Sequence, residues 1–542
     1  MEIGIKSKPI LCIFLSLAAV LGVAALLFST HWGPGIGGDA TIYITSARNV
    51  LAGKGIGLIQ PDGSFRLIPY FPPFFPLLLS LIGLTGADLV ETAHWLNMLL
   101  FGGLVWLGGY LTFRASRSAL LAGILAALLM ASPILIPVYS WAMAEPLSIF
   151  CGVLGLVWLV EYLHQPSRAT LLILAGLLAG LSFLTRYSAV AYLAAGWVGL
   201  LLFGAKRMRQ KLVESLLYLA PGLLPMAVWA VYDISKTSTL ASRSLETGPG
   251  MANRIASMLP PLKNIILRWL VPDSWISTPH YPASFNLLLD ILFVLGLLLW
   301  LGLILWKLNR TADKTPNKDL FQLLVLLALF ILAYLGLIFV VYISTYPPIT
   351  LDDRMFSPVH IAILWIIVLL AGLTLNLWPG WRWLKLGLPV LLILFAAAYG
   401  WRTMRIVVQN YDLGLGYTSP DWRGSPTIKA LKALPPGSTI VTNETMAVLF
   451  LTGRTAYPYA EIYLNKPLSV FSEYGNGDLS SDSGQQRLFR ENKAVLVLFD
   501  SLPSQLGSIY GDQTAQRIQK LTNGLQISFK GSDGGIYDYP AQ

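Results

Sequence analysis

The chain has 542 residues, of which 55% are hydrophobic and only 12% charged, and its mean hydropathy is +0.63. That charged share is about half of a soluble globular domain's, which excludes one water-soluble core. The net charge of +10 retains loops in the cytoplasm in a chain this apolar, so the expected partner is the lipid bilayer and no nucleic acid. Cys12 and Cys151 both lie in apolar runs and show neither disulfide nor metal spacing.

A helix that crosses a bilayer needs about 20 mostly apolar residues. Such runs fall near 10–28, 92–113, 119–137, 143–163, 169–185, 188–204, 212–232, 285–306, 320–343, 358–377 and 385–402. The first follows Lys6 and Lys8 and leads into His31-Trp32-Gly33-Pro34 with no small-residue cleavage site, so it reads as an uncleaved helix. With the N-terminus in the cytoplasm, every inside connection is short and basic. In order they carry Arg114 and Arg117, Arg168, Lys206 to Lys211, Lys307 to Lys318, and Arg382 with Lys385. The same count places 29–90, 233–284, 344–357 and everything after about 403 outside.

The tail from about 420 is richer in Ser, Gly, Asp and Pro. Its apolar runs at 439–441 and 494–499 read as strands, and helical patterns follow near 444–452 and 512–522. The Pro/Gly-rich stretches 61–76 and 244–250 read as loops. The expected architecture is therefore an α-helical polytopic membrane protein of about 11 transmembrane helices with a small C-terminal extracytoplasmic α/β domain. Residues 1–405 form the membrane domain, with its outer loops, and 420–542 the outer domain.

Ionisable residues on the outer side are the candidates for chemistry. Asp39, in Gly37-Gly38-Asp39-Ala40, opens an amphipathic helix on which Tyr43 and Ala47 share its face. Asp39 could simply cap that helix; alternatively it is a general base for an acceptor hydroxyl. Tyr70 begins Tyr70-Phe71-Pro72-Pro73-Phe74-Phe75-Pro76, where three prolines deny helix and fix a turn, with an interfacial aromatic belt as the plain alternative. Glu145 stands before Pro146 at an outer helix start, which suits the dipole, yet an ionisable group at membrane depth is a functional candidate. Arg186 runs against the positive-inside trend, either as a snorkelling side chain or as a phosphate ligand. Arg354 lies in Asp352-Asp353-Arg354, where pairing with a neighbouring aspartate competes with a phosphate role. The 233–284 loop adds Arg243, Arg254, Lys263, Arg268 and His280, weak signals singly, of which Arg243 and His280 join Tyr43, Tyr70 and Asp353 as candidates for lining a substrate cavity. No phosphate-cradling glycine loop, Ser/His/Asp order or zinc spacing is present.

Taken in order, Gly38-Asp39, Tyr43, Ala47-Arg48-Asn49, Gly53-Lys54-Gly55 and Phe71-Pro72-Pro73-Phe74-Phe75-Pro76 resemble the first outer loop of the GT-C membrane glycosyltransferases. Ala144-Glu145-Pro146, the run 176–186 ending in Thr185-Arg186, and Asp353-Arg354-Met355-Phe356-Ser357-Pro358 extend the resemblance over roughly 10–400. It is greatest to the branch of protein O-mannosyltransferases and lipid A aminoarabinose transferases. The resemblance implies an inverting hexosyl or pentosyl transfer from a polyprenyl-phosphate sugar donor to a lipid, glycan or protein acceptor, at the outer face of a bacterial plasma (inner) membrane. Asp39 would be the base, Arg186 and Arg354 donor-phosphate ligands, and Glu145 a second active-site carboxylate, with Asp353 nearby. Where the family motif often continues Asp-Glu, this chain has Ala40, which implies no metal cofactor. A lipid-linked glycan polymerase or ligase is a neighbouring alternative, and a transporter or flippase of lipid-linked sugars a more distant one. A flippase would keep its ionisable groups nearer mid-membrane.

Overall fold

The computed structural model describes residues 7–205, 207–237, 244–245, 251–270, 318–346, 349–378, 380–459 and 494–540. In chain order the principal elements are α1 (Ser7–Ser29), α2 (Gly38–Leu51), the strands β1 (Gly57–Ile59) and β2 (Phe65–Leu67), α3 (Phe74–Gly83), α4 (Leu89–Ser116), α5 (Ala119–Met130), α6 (Leu135–Ser140), α7 (Glu145–His164), α8 (Ala169–Phe183), α9 (Val190–Phe203) and α10 (Met208–Thr237). There follow β3 (Ser244–Leu245), α11 (Met251–Leu270), α12 (Lys318–Ser344), β4 (Thr345–Tyr346), α13 (Asp353–Leu377) and α14 (Arg382–Leu413). The tail holds α15 (Pro420–Gly424), α16 (Pro426–Ala433), β5 (Ile440–Thr442), α17 (Thr445–Thr452), β6 (Tyr457–Pro458), β7 (Val495–Phe499), α18 (Leu502–Tyr510), α19 (Thr514–Thr522), β8 (Gln526–Lys530) and β9 (Gly534–Asp538).

Among the described residues, seven helices are long and apolar enough to cross a membrane, and α3, α5, α8 and the 187–203 helix are shorter apolar ones. The chain is a polytopic helical membrane protein. Nine of the eleven expected spans coincide with single helices, one is divided between two, and the run 285–306 lies outside the described residues. The run 119–137 is not one continuous span: α5 stops at Met130 and α6 begins at Leu135, because Pro133 between them cannot continue a helix. Two other expectations are amended. The stretch 61–76 contains β2, paired antiparallel with β1, and α3 begins at Phe74 with Pro76 in its first turn, where proline is tolerated. The loop 233–284 contains the 20-residue helix α11.

The chain divides into two compact units, Met1–His31 with Pro69–Phe75 and Ala93–Asp412, and Trp32–Ile68 with Pro76–Thr92 and Leu413–Gln542. In the first, α8 packs against α7 and α10 through small residues. A Cβ added at Gly176 would stand 1.9 Å from the Tyr218 carbonyl oxygen, and one at Gly180 would stand 2.4 Å from that of Gly222. Apolar helices in lipid gain nothing from burying oil against oil, so backbone approach of this kind supplies the packing. At the C-terminal end of α7, Arg114 pairs with Glu161, and His164 Nε2 lies 2.6 Å from Asp319.

The second unit contains α2, the β1–β2 hairpin and a five-stranded sheet of order β6-β5-β7-β9-β8. The β5–β6 and β5–β7 pairs are parallel, while β7–β9 and β8–β9 are antiparallel. The unbroken apolar run in β7 follows from burial on both faces: Leu496 and Leu498 join one core cluster, Val495, Val497 and Phe499 the other.

Gly176→Ala is expected to destabilise the detergent-solubilised protein by about 1–3 kcal/mol, because the new methyl meets backbone rather than a movable side chain. Gly336→Ala, in α12 with nothing within 4 Å of the new methyl, serves as the control. Equal unfolding midpoints for the two variants would show that the α8–α10 contact is not close-packed.

Candidate functional site

In the first unit three helix ends converge on one carboxylate. Glu145 is the first residue of α7 and is 4% exposed. Pro146 costs nothing there, since an N–H in the first turn has no intrahelical partner. Arg186 follows the C-terminus of α8, in a turn closed by its own amide on the Ser182 carbonyl at 3.0 Å. Arg354 is the second residue of α13, whose N-cap Asp352 accepts from the Met355 amide at 2.7 Å. Glu145 Oε1 lies 3.2 Å from Arg354 Nε and 3.5 Å from Arg186 Nη1. These are charge contacts: among the described residues no hydrogen bond reaches either Glu145 oxygen. A carboxylate so deeply buried persists in charged form only with such partners. Asp352 Oδ2, 3.7 Å from Arg354 Nε, is the second counter-charge, so two guanidiniums and two carboxylates balance.

A small pocket opens beside this cluster, lined by Glu145, Ser148, Arg186, Ser188, Tyr192 and Tyr334 among others. Tyr334 of α12 joins the two arginine-bearing turns. Its hydroxyl hydrogen-bonds Ser188 Oγ at 3.2 Å, and it donates to the Met355 carbonyl at 2.7 Å. The proline-rich segment holds the Arg186 turn from the other side. The Phe74 amide donates to the Leu184 carbonyl at 2.9 Å, and the Tyr187 hydroxyl donates to the Pro69 carbonyl at 2.6 Å. Trp229 Nε1 donates to the Tyr187 hydroxyl at 2.9 Å. Pro69, Pro72 and Pro73 thus make a stiff strap, which suits a segment that grips a turn.

The structure brings together Glu145, Arg186 and Arg354 from three distant parts of the sequence. Asp353 turns instead to Arg268, 3.1 Å away. Tyr70 is half-buried against the edge of Phe71 and does not line the cavity. Arg243 and His280 lie outside the described residues. Tyr334 and Ser188 were not legible as site residues, since a tyrosine in the apolar run 318–344 and a serine in a turn carry no spacing signal.

Asp39 belongs to the second unit. It is half-buried in the first turn of α2, whose N-cap is Gly37 without a side-chain cap bond. Asp39 is therefore not the N-cap residue of that helix. Tyr43 and Ala47, one and two turns on, are fully buried. Among the described residues no group of three or more His, Cys, Asp or Glu side chains is placed to hold a metal ion.

The fold and the buried cluster define a polytopic membrane protein whose helix ends enclose a charged cavity. No protein-family profile matches the chain, and no curated protein matches its sequence. Its fold is nevertheless shared with solved structures. Similar solved structures include ArnT from Cupriavidus metallidurans bound to undecaprenyl phosphate, with a TM-score of 0.53 and 13% identity over 97% of each chain. The archaeal oligosaccharyltransferase AglB from Archaeoglobus fulgidus, in complex with an inhibitory peptide and a dolichol-phosphate, has a TM-score of 0.53 and 12% identity, over 98% of this chain and 74% of that one.

Glu145→Leu is expected to cost about 2–3 kcal/mol, at or below the fully buried figure because the Arg186 and Arg354 side chains keep 20% and 31% exposure. Adding Arg186→Leu should cost less than the sum of the single changes, by about 1 kcal/mol. Strict additivity in a denaturation cycle would show that the 3.5 Å contact carries no energy.

Proposed function

We propose that this protein is an inverting glycosyltransferase that moves a hexose or pentose from a polyprenyl-phosphate donor to an acceptor hydroxyl, with Asp39 as general base. The observation that carries the reading is the pair of guanidiniums, Arg186 and Arg354, on the single carboxylate of Glu145 beside a cavity in a GT-C fold. Guanidinium forks match phosphate oxygens, and Glu145 holds both in place for a phosphate that exchanges with it. The ArnT structure with undecaprenyl phosphate and the AglB complex with dolichol-phosphate support a lipid phosphate as the donor's carrier.

In the reaction the acceptor oxygen bonds to the sugar's anomeric carbon as the bond from that carbon to the phosphate oxygen breaks. The hydroxyl proton passes to the Asp39 carboxylate, and the polyprenyl phosphate leaves with the electron pair. Charge grows on the departing phosphate, where preoriented arginines stabilise it most. Ala40 follows Asp39 where a second carboxylate would assist a metal, so the transfer is metal-independent in this reading. All three cluster residues stand at helix ends, which favours a reaction at the membrane surface over transport through its middle.

The basic Arg114, Arg117 and Arg168 sit at the connections opposite the Glu145 end of α7. By the positive-inside rule those connections face the cytoplasm, the cavity opens outside, and the C-terminal domain is extracytoplasmic in this reading. The host is a bacterial inner membrane in this reading, and the acceptor a lipid, glycan or protein.

Mass spectrometry of envelope lipids, glycans and proteins, in a deletion strain complemented with wild type or Asp39→Asn, tests the base. Product formation should fall by about 10²–10⁴-fold at equal membrane abundance, and transfer in isolated membranes should withstand EDTA. Wild-type product levels from Asp39→Asn would remove Asp39 from the mechanism, and loss of transfer in EDTA would restore a metal to it. Separately, Arg186→Ala should weaken binding of undecaprenyl phosphate to the purified protein by about tenfold or more, the worth of one charge-assisted contact. An unchanged affinity would place the phosphate elsewhere.

A further inference from the structure

The chain between α1 and α2 has no regular structure of its own to aim Asp39, yet three of its alternate carbonyls are gripped from one short segment far away in sequence. The Tyr417 amide donates to the Ile36 carbonyl at 2.8 Å, as part of a parallel bridge between Ile36 and Gly416. Thr418 Oγ1 donates to the Pro34 carbonyl at 2.7 Å, and Arg423 Nη2 donates to that of Trp32 at 2.6 Å. Gly33 sits in this segment at φ +106°, a backbone conformation that glycine adopts without strain. Ile36 is fully buried and Thr418 nearly so, so water competes poorly for the bonds they make.

The gripping segment is tied to the sheet. The Tyr417 hydroxyl bonds the Glu444 carboxylate, which also accepts from Ser501 Oγ at 2.5 Å and Gln505 Nε2 at 2.9 Å. Burial pushes the Glu444 carboxyl above its ordinary range. Glu444 and Ser501 follow the C-terminal ends of the parallel neighbours β5 and β7, and Asn443 stitches those ends together by accepting from the Phe499 amide at 2.8 Å. Immediately after Glu444, α17 runs beside the first turn of α2, with Met446 next to Gly38. From the domain outward, one connected set of contacts ends one residue short of Asp39.

We infer that the C-terminal domain is a positioning device for the base: Tyr417, Thr418 and Arg423 fix the backbone that presents Asp39, and Glu444 anchors that grip to the sheet. The inference rests on the reading of Asp39 given above. These four are positioning residues, since none is assigned a contact with substrate. The domain then works as part of the catalytic apparatus, whatever else it binds.

Hydrogen–deuterium exchange on the full-length protein in detergent tests the grip without any substrate. In Thr418→Val/Arg423→Ala, amide exchange over 36–44 should rise about tenfold or more, with α9 unchanged; Glu444→Gln should give a smaller rise in the same place. In the mass-spectrometric assay the double variant should lose about ten- to hundredfold of its transfer rate, as expected for a misplaced catalytic group. Its affinity for undecaprenyl phosphate should be kept, and Arg423→Lys should lose less than Arg423→Ala. Unchanged exchange over 36–44, a rise spread evenly over both units, or full transfer despite a loosened turn would each overturn the inference. If instead Asp39→Asn alone leaves transfer intact, the reading of Asp39 fails while the exchange result still reports on the grip.

Discussion

A single carboxylate shared by two guanidiniums, buried at the end of a membrane helix, sets the terms for the rest of the first unit. Glu145 is 4% exposed and has Arg354 at 3.2 Å and Arg186 at 3.5 Å. Removing Glu145 leaves two guanidiniums without their shared carboxylate in a medium that solvates them poorly. Each of α7, α8 and α13 must therefore end where it does, and the surrounding contacts serve that requirement. The glycines of α8 let α10 approach to backbone distance. The proline strap of residues 69–75 and the Tyr334 hydroxyl hold the two arginine turns. Among the described residues Glu145 receives charge contacts but no hydrogen bond, so the cluster is held together yet retains acceptor capacity.

Much of this was legible in the sequence because bilayer physics is coarse. About 20 apolar residues are needed to cross, and nine such runs coincide with single helices. Glu145, Arg186 and Arg354 stood out as charges at the ends of those runs, and the structure brings them together. The apolar run of β7 was equally plain, since a strand buried on both faces has no polar positions.

What escaped was information the local pattern does not hold. Tyr334 becomes a site residue only through partners 146 and 21 positions away. The helix α11 carries Pro260-Pro261 and a mixed polar face, and so reads as loop. Strands β8 and β9 have no long apolar run, and β8 is largely exposed. Pro133 was visible in the run 119–137, but composition averaged over a window hid its effect. The plain expectation for Arg354, pairing with an adjacent aspartate, was half met: Asp352 contacts it at 3.7 Å, whereas Asp353 binds Arg268.

The grip of residues 416–423 on residues 32–36 also orders events in time. The bonds from Thr418 and Arg423 join positions 384 and 391 residues apart. A ribosome adding about 5–20 residues per second needs roughly 20–75 s to cover that interval. Throughout it the bonds from Arg423, Thr418 and Tyr417 to the Trp32, Pro34 and Ile36 carbonyls cannot yet form. The nascent protein can thread its early membrane helices before this fastening is made, and the second unit is completed only once the chain beyond residue 423 has been synthesised.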